Sequence, residues 1–513
     1  MISSPLPPEL RPEPGSPGEF TRFAELQQRL PRLFRQLFAD CLAPRTIVVV
    51  PGLSVDQELL ARIDGLPHYE ERQLTMLMLL RMPNTRMVFL TSVAVDASIV
   101  DCYLQLLPGI PHEHARRRIT LLAAYDASPV SLTRKILDRP RLLARVRSVL
   151  GDPGLAHLSC FNATADERTL AVQLGVPLYA CDPALAQFGT KSGSRSVFRE
   201  AGVALPDGAD NLRDIGDAIA ALAALKRRRP ALTRAVVKLE EGASGEGNAT
   251  FDYAGAPDGA ALESWIAAEL PGRLKLEAVG LTYEHYAAKF ASMGGVAEAW
   301  IEGDGKRSPS AQLRINPLGG LETISTHEQL LGGATGQLYL GARFPASEEY
   351  RVAIQESALR VGRVLRDKDV LGRFGVDFVC VREGGIWRQH AIEINLRKGG
   401  TTHTFQTLQY LTDGRYDAAS GLFLTRQGQP RFYYATDNLV KPQYRRLTPP
   451  ISSTSRSSTI CTSIRSHRGE GVTFNLIGAI SQFGKLGVVS IPASSEAAEA
   501  LYGRTVRMLD AAC

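Results

Sequence analysis

Short apolar runs alternate with amphipathic stretches in the first third of the chain. The apolar runs cover residues 46–50, 87–92, 119–122 and 158–161. They are rich in β-branched and aliphatic side chains, whereas the intervals between them carry apolar residues at helical spacing. Strands that alternate with helices form parallel sheets flanked by helices. We therefore predict an α/β fold that begins with a parallel domain over residues 21–185.

The pattern changes after residue 185. Glycines concentrate in loops over residues 186–425, and predicted strands follow one another at short separations, which favours mixed or antiparallel sheets. Residues 426–513 are predicted to form a small C-terminal domain with a mobile Ser/Thr/Arg-rich loop at 452–468. Residues 1–20 are rich in Pro, Glu and Gly and are predicted to be a disordered leader.

The charge of the chain argues against a nucleic-acid partner. The 59 Lys and Arg residues exceed the 53 Asp and Glu residues by six, which is a mild excess over 513 residues. The one dense basic cluster, at residues 226–229, follows a helical stretch, and cations are favourable at a helix C-terminus. Aromatic residues make up 7% of the chain and are not interleaved with basic ones, so base-stacking surfaces have no support.

Cysteine spacing and hydropathy exclude further classes. The seven cysteines are scattered without a CxxC spacing, which is neither a zinc pattern nor a disulfide framework. No apolar run approaches the ~18 residues that a membrane helix needs. The N-terminus lacks the basic-then-apolar order of a signal peptide. We therefore expect free thiols, no membrane partner and a cytoplasmic location.

The strongest chemical signal is a predicted β-hairpin over residues 375–400. Residues two apart on a strand share a face, so Glu393 and Asn395 point the same way, as does Arg397. Asp377 joins this face if it lies opposite Glu393, a register that we expect to need an odd number of loop residues. Such oxygen donors suit Mg²⁺ or Mn²⁺ that bridges phosphates. The alternative is an exposed hairpin face whose polar residues are unrelated.

A glycine-rich loop follows another predicted strand. The strand delivers Lys238, and Gly242, Ser244, Gly245 and Gly247 come after it. Glycines let backbone N–H groups approach phosphate oxygens. The loop lacks the GK[ST] of a P-loop and the helix of a Rossmann fingerprint. A flap over a triphosphate fits this pattern, and a flexible hairpin is the alternative.

The order and spacing of these features resemble the ATP-grasp family. Lys191 opens a predicted helix that ends in Ala-Gly-Val-x-x-Pro, and Lys238 precedes the Gly/Ser flap. Asp377 and the later Glu-x-Asn pair complete the pattern. The resemblance covers about residues 185–410.

Two further stretches strengthen the resemblance. Glu298, Trp300 and Ile301 match the hinge where ATP-grasp proteins hold adenine against the backbone. Residues 308–317 and 391–403 resemble the actinobacterial peptide-ligase group typified by the pheganomycin peptide ligase. That group has one domain before the ATP-grasp core and another after it.

The resemblance implies an ATP-dependent carboxylate ligase with a two-lobed ATP-grasp core. A substrate carboxylate would attack the γ-phosphate of ATP, and an amine would then displace phosphate from the acyl phosphate. Lys191 and Lys238 would hold phosphates under the flap, and Arg397, together with Lys238, would act in catalysis. The implied magnesium ligands are Asp377, Glu393 and Asn395.

Polar side chains around the hinge and the metal hairpin are the candidate substrate contacts. They are Gln312, Arg314, His327, Glu328, Arg343 and His403. Arg314 or Arg343 would dock a carboxylate, and Glu328 would receive the amine. His403 would line the pocket. Structural salt bridges and a buried structural histidine are the alternatives.

Three functions remain open from the sequence. The first is a carboxylate–amine ligase that joins an amino-acid-like acid to an amine or peptide in bacterial specialised metabolism. The second is a carboxylate–thiol ligase that loads an amino acid onto a carrier protein. The third is a non-catalytic ATP-binding regulator. The resemblance also admits a homodimer, since family members are often dimers.

Overall fold

The computed structural model describes residues 12–55, 57–107, 109–242, 245, 247–278, 280–333, 336–448 and 470–513. The predicted loop at 452–468 and the candidate phosphate-binding Ser244 lie outside the described residues. Within these ranges the strands form a four-stranded, a five-stranded, a nine-stranded and a three-stranded sheet. Parallel and antiparallel sheets combined with helices confirm the predicted α/β class.

The N-terminal sheet is parallel, as predicted. Its strands are β1 (Arg45–Val50), β2 (Thr85–Thr91), β3 (Ile119–Ala123) and β4 (Ala156–Cys160), in the order β3-β2-β1-β4. The helices of this region are α1 (Pro17–Gln27), α2 (Leu30–Ala39), α3 (Gln57–Ala61), α4 (Ala97–Gln105), α5 (His112–Arg116), α6 (Leu132–Leu137), α7 (Pro140–Leu150) and α8 (Ala165–Leu174). β1 is apolar on both faces because Ile47 and Val49 enter one core while Val48 and Val50 enter another.

The first helix shortens the predicted leader. α1 begins at Pro17, whereas the sequence predicted disorder up to residue 20. The Ser16 hydroxyl accepts a hydrogen bond from the Glu19 N–H at 3.2 Å, and proline suits the first helical turn. Glu19 is buried and accepts a hydrogen bond from the Thr169 hydroxyl at 2.6 Å. This long-range contact holds the start of α1 against α8. Local composition alone could not predict it.

The five-stranded sheet forms the first lobe of the central region. Its strands are β5 (Gly208–Leu212), β6 (Arg234–Leu239), β7 (Asn248–Asp252), β8 (Lys275–Leu276) and β9 (Gly295–Ala299), in the antiparallel order β5-β9-β6-β7-β8. The accompanying helices are α9 (Lys191–Glu200), α10 (Ile215–Arg228), α11 (Leu262–Arg273) and α12 (Tyr283–Met293). Phe251, Ile266 and Phe290 are fully buried in the core between this sheet and its helices.

The nine-stranded sheet forms the second lobe. The remaining strands are β10 (Asp304–Arg307), β11 (Pro309–Ile315), β12 (Leu321–Gly332), β13 (Leu338–Phe344), β14 (Gly372–Glu383), β15 (Ile386–Asn395), β16 (Arg415–Asp417), β17 (Leu422–Leu424), β18 (Pro430–Arg431), β19 (Tyr433–Val440), β20 (Gly471–Asn475) and β21 (Lys485–Ile491). The large sheet runs β10-β14-β11-β12-β13-β19-β21-β20 with β15 also paired to β14, and β16 to β18 form the three-stranded sheet. The helices are α13 (Arg351–Asp367), α14 (Gly400–Thr412), α15 (Ile480–Phe483) and α16 (Ser495–Ala511).

The C-terminal residues extend the large sheet. β19 pairs antiparallel with β13, and β21 then pairs with β19, so residue 426 does not separate two sheets. Val472, Phe474 and Ile480 share one apolar core with Ile47 and Val49 of β1. The first and last parts of the chain are therefore packed together around the central region.

The cysteines and the helices can be compared with what the sequence predicts. Cys160, Cys181 and Cys380 are buried free thiols, as expected, whereas Cys102 is disulfide-bonded. In the part of the chain that the structure describes, every helix falls short of the length and apolar character that a bilayer crossing requires.

Candidate functional site

A β-bulge sets the register of the hairpin formed by β14 and β15. Gly384 and Gly385 form a two-residue turn with φ values of 58° and 82°, a conformation that suits glycine. Two residues alone would place Asp377 opposite Ile392. The pairing instead shifts by one residue between Asp377 and Phe378, and Asp377 lies opposite Glu393. The expectation of an odd-residue loop was wrong, because the bulge supplies the extra residue.

Asp377 is held by two amides and faces a second carboxylate. The Gln329 side chain donates to its Oδ1 at 2.8 Å, and the Asn395 side chain donates to its Oδ2 at 3.0 Å. Burial, together with the negative charge of Glu393, raises the pKa of Asp377 to about 7. Two acidic groups therefore share a partly buried space in which full ionisation of both is unfavourable.

Lys191 contacts this pair of carboxylates. It is the first residue of α9, and its Nζ lies 2.7 Å from Glu393 Oε1. The Lys191 side chain is 7% exposed. The helix start is fixed by Thr190, whose hydroxyl accepts from the Gly193 N–H at 3.1 Å. Lys191 and Glu393, which are far apart in sequence, therefore meet in the folded chain.

Lys238 belongs to a buried charge cluster next to the flap. Its Nζ lies 2.5 Å from Glu298 Oε2, and Arg195 Nη1 lies 2.5 Å from Glu298 Oε1. The three side chains are each no more than 6% exposed. Burial favours a neutral Glu298, but the two cations outweigh it and lower the pKa of that carboxyl. Glu298 therefore orients Lys238 and Arg195, a role that the hinge resemblance did not predict.

The flap lies against a loop of the second lobe. Gly245 has φ +86°, and a Cβ added there would lie 2.6 Å from the Gln337 carbonyl oxygen. The Asn248 side chain also donates to Gln337 Oε1 at 2.8 Å. Gly242 and Gly247 lie against each other. A Cβ added at Gly242 would lie 3.5 Å from the Gly247 Cα. The glycines thus permit a backbone approach between the lobes.

The hinge follows β9 directly. The Trp300 N–H donates to the Arg234 carbonyl at 3.1 Å, whereas no backbone carbonyl of the described residues accepts from the Ile301 N–H. Lys306 Nζ lies 3.7 Å from the Trp300 ring centroid, and the Arg234 guanidinium lies 4.7 Å from it. Trp300 is therefore held between two cations, and Ile301 presents a backbone donor of the kind that adenine recognition needs.

Arg397 follows the hairpin of β14 and β15, and its guanidinium forms no ion pair with a carboxylate of the described residues. Its Nη1 donates to the neighbouring Lys398 carbonyl at 3.2 Å, and no carboxylate of the described residues lies within ion-pair distance. Burial lowers its pKa, while the charges of Glu393 and Asp377 act in the opposite direction. Arg397 is thus a cation near both carboxylates that is not neutralised by either of them.

The donor set fits a hard divalent cation. The described residues contain no cluster of three or more His, Cys, Asp or Glu side chains, so a soft-metal site is not formed there. Asp377, Glu393 and Asn395 instead offer two carboxylates and one amide oxygen on one sheet face. A cation between the carboxylates would relieve the repulsion that raises the pKa of Asp377. Oxygen ligands that leave room for phosphate oxygens are typical of Mg²⁺.

The prediction that His327 contacts the substrate is wrong. Its side chain is fully buried and lies 5.7 Å from the Phe344 ring and 5.8 Å from the Tyr433 ring, centroid to centroid. Burial lowers the pKa of His327 to about 3, so the ring is neutral. His327 belongs to an aromatic core and contacts no solvent-accessible space.

Glu328 and Arg343 are on the wrong face of the sheet. Glu328 follows His327 on β12, so it points away from Asp377, and it accepts a hydrogen bond from the Tyr350 hydroxyl at 2.5 Å. Arg343 pairs across the strands with Glu328 and forms an ion pair with Glu499 of α16 at 2.9 Å. Both therefore serve structural contacts, because strand alternation fixes the direction of each side chain.

The other three candidates are Gln312, Arg314 and His403. Gln312 is opposite Gly375 on the face that carries Asp377 two residues further on, and a Cβ at Gly375 would lie 2.6 Å from the Gln312 side chain. Arg314 is engaged by Glu322 and lines a cavity. His403 is buried, and its Nε2 lies 3.2 Å from Asp437 Oδ1. Only Gln312 and Arg314 thus keep a placement that suits substrate contact.

Sequence reasoning missed two positioning residues. Gln329 holds Asp377 through its side-chain amide. Glu240 accepts from the Ser192 backbone N–H at 2.7 Å and from the Ser192 hydroxyl at 2.8 Å, which ties the flap strand to the start of α9. Strand alternation from β12 would have indicated Gln329 only if its pairing with β11 were known. No local signal marks Glu240.

Comparisons with known proteins give one family match and two curated relatives. Residues 183–260 and 273–419 match the family described as IQCH-like, ATP-grasp. The chain is 30% identical over 473 residues to an L-propargylglycine–L-glutamate ligase of Streptantibioticus cattleyicolor, a match covering 90% of this chain and 94% of that protein. It is 23% identical over 402 residues to IQ motif-containing protein H of Danio rerio, covering 70% of this chain and 38% of that protein.

Solved structures show the same fold at low sequence identity. Biotin carboxylase from Campylobacter jejuni, in a β,γ-ATP complex, has a TM-score of 0.53 at 12% identity and covers 90% of both chains. The biotin carboxylase domain of Hydrogenobacter thermophilus 2-oxoglutarate carboxylase, with MgADP, also has a TM-score of 0.53 at 12% identity, over 88% of this chain and 86% of that one. The chain belongs to the ATP-grasp family and is an enzyme of its ATP-dependent ligase class.

Proposed function

We propose that the chain is an ATP-dependent ligase that activates an amino-acid-like carboxylate and joins it to an amine or a peptide. The observation that carries the proposal is the 2.7 Å contact between Lys191 Nζ and Glu393 Oε1. It joins the ammonium group that we assign to phosphate binding to one of the two carboxylates that we assign to magnesium, and the charges of both carboxylates act on Arg397. The similarity to a ligase of two amino acids supports an amine acceptor over a thiol acceptor.

The proposed reaction has two displacement steps. A carboxylate oxygen of the acid attacks the γ-phosphorus of ATP, and the bond to ADP breaks. The amine nitrogen then attacks the acyl carbon of the acyl phosphate, inorganic phosphate leaves, and the nitrogen loses one proton. Both steps depend on positioning and on stabilising developing charge.

The residues of the site match these requirements. Lys191 and Lys238 would bind the phosphates of ATP, and the flap with Gly245 would exclude water from the acyl phosphate. Arg397 would stabilise negative charge on the reacting carboxyl group, because no protein carboxylate neutralises it. Mg²⁺ held by Asp377, Glu393 and Asn395 would neutralise charge on the β- and γ-phosphates. We propose bacterial specialised metabolism as the setting. The similar ligase is named for propargylglycine, which is not one of the amino acids that make up proteins.

The test is ADP release with Mg·ATP and a panel of amino acids, singly and with amines or short peptides, with product masses read in parallel. The expected result is acid-dependent ADP release and a product mass of acid plus amine minus water. A hydroxylamine-sensitive adduct on a carrier protein would instead establish the thiol ligase. ATP binding without ADP release under every pairing, including carrier proteins, would contradict both and leave the regulator.

A further inference from the structure

A cavity of about 420 Å³ opens beside Arg397 and is separate from the ATP-binding residues. It lies between α2, β1 and β4 of the N-terminal region, the 3₁₀ segment Leu66–Arg81, and the start of β14 in the second lobe. Arg397 and Lys398 form one part of its wall. The cavity therefore connects the predicted reaction centre to the N-terminal domain.

The polar part of the cavity carries an excess of positive charge. Its basic lining residues are Arg45, Arg314, Arg373, Arg397 and Lys398, and no Asp or Glu is among its described lining residues. Of these five basic residues, only Arg314 forms an ion pair with a carboxylate of the described residues, that of Glu322. Arg45 is 6% exposed, and its Nε and Nη2 have no hydrogen-bond partner among the described residues. Among the described residues, Lys398 Nζ donates only to the neutral side chains of Gln73 and Ser159, at 3.1 and 3.0 Å.

Burying like charges without counter-ions is costly. Burial and the neighbouring Arg314 lower the pKa of Arg373 to about 10, and burial and Arg373 lower the pKa of Lys398 to about 8. Burial is the larger cause of both pKa shifts, and the repulsion between neighbouring cations adds to it. An anionic ligand with more than one negative group would compensate them.

Another part of the cavity lining is apolar. It is formed by Leu30, Leu33 and Leu37 on one face of α2, and by Met76 and Met78 of the 3₁₀ segment. Methionine side chains adapt to different apolar shapes. The volume is within the range of ordinary small-molecule sites and leaves room for an apolar group besides the charged ones.

We propose that this cavity binds the acid substrate of the ligase as an amphipathic dianion. One carboxylate lies at Arg397 and Lys398, a second anionic group lies at Arg373 and Arg45, and an apolar group lies on the leucine and methionine wall. This assignment rests on the proposed function and names the class of acid that the site selects.

The test measures equilibrium binding of three probes by calorimetry in the absence of ATP. The probes are N-hexanoyl-L-glutamate, N-hexanoyl-L-glutamine and N-acetyl-L-glutamate, which separate the second carboxylate from the apolar tail. We expect the first to bind about tenfold or more tightly than either of the others, since each lacks one of the two contacts. Equal affinity for all three, or no binding of any at millimolar concentration, would overturn the proposal.

Variants assign the contacts to residues. Arg45→Met removes a buried cation whose Nε and Nη2 have no partner among the described residues, and Arg373→Met removes a cation of the cavity wall that forms no ion pair with a described carboxylate, so folding should be retained. Each should weaken N-hexanoyl-L-glutamate about tenfold while changing N-hexanoyl-L-glutamine little. Arg388→Met, at an exposed position of β15, is the matched control and should leave all three affinities unchanged. An equal loss for both hexanoyl probes in Arg373→Met and Arg45→Met would contradict the assigned second anion site.

Failure of this proposal is distinguishable from failure of the ligase proposal. Probe binding does not require ATP turnover, and ADP release does not require these probes. ADP release with monocarboxylates that equals the release with amphipathic diacids would reject the substrate class and keep the ligase. Selective probe binding without ADP release for any acid would reject the ligase and keep the cavity as a binding site for amphipathic dianions.

Discussion

Asp377 lies directly opposite Glu393 because the chain bulges by one residue at Ile392. The bulge turns an even-numbered hairpin into one that gathers both carboxylates and the Asn395 amide on one face. Bulges commonly re-aim side chains next to active sites. The position of the proposed metal site therefore depends on one unpaired residue of β15.

Glu393→Gln should abolish ADP release while the protein still folds. The amide keeps the shape of the side chain but removes the charge that pairs with Lys191 at 2.7 Å and that would bind Mg²⁺. We expect a loss of about 100-fold or more in acid-dependent ADP release, with an unchanged circular dichroism spectrum. Glu383→Gln, at the exposed end of the same hairpin, is the control and should retain activity. Full activity in Glu393→Gln would reject the metal assignment.

Stability without metal should depend on the protonation of Asp377. Its pKa is about 7 in the folded protein, raised by burial and by Glu393, against about 3.9 in an unfolded chain. Between these values the folded state holds a proton that the unfolded state releases, so this group favours folding below pH 4 and loses that contribution as pH rises to 7.

Urea unfolding in EDTA at pH 5 and pH 7.5 measures this effect. Asp377→Asn should gain stability relative to the wild type as pH rises, since it has no charge to bury. Asp367→Asn, at a side chain that is 66% exposed, should follow the wild type at both pH values. A parallel pH response of Asp377→Asn and wild type would show that Asp377 does not titrate in this range.

Gly245→Ala should impair ATP use more than folding. A Cβ at Gly245 would lie 2.6 Å from the Gln337 carbonyl, so the flap could not approach the second lobe, and its φ of +86° adds strain. We expect a raised KM for ATP and a lower kcat. Gly255→Ala is the control because its φ is +79° but nothing lies within 4 Å of the added Cβ. Both variants share a backbone penalty of about 1 kcal/mol, so only the first should change the ATP kinetics. Identical kinetics in the two variants would exclude a role for the flap contact.

Glu298→Gln should strongly destabilise the fold. The substitution leaves Lys238 and Arg195 buried without their shared carboxylate, and removing one partner of a buried ion pair typically costs about 3–5 kcal/mol. Glu302→Gln breaks an exposed pair with Arg234 and should cost about 1 kcal/mol or less. The free energy of unfolding in urea measures both. A cost for Glu298→Gln as small as that for Glu302→Gln would mean that the cluster does not stabilise the protein.

Local patterns in the sequence were sufficient for several features. Periodicity indicated the parallel N-terminal strands, and alternation placed Glu393 and Asn395 on one face, because side-chain direction along a strand depends only on sequence separation. The order of Lys191, Lys238 and the hairpin indicated the ATP-grasp class, which the comparisons confirm.

Tertiary structure alone decided the rest. The burial of His327 among aromatic rings and the direction of Glu328 and Arg343 away from Asp377 depend on which strand or helix lies alongside, and the bulge at Ile392 depends on how β15 pairs with β14. The cation-lined cavity likewise combines Arg45 of β1 with Arg373 of β14. The energies of such contacts come from burial and pairing in the folded state, which the local order of residues does not encode.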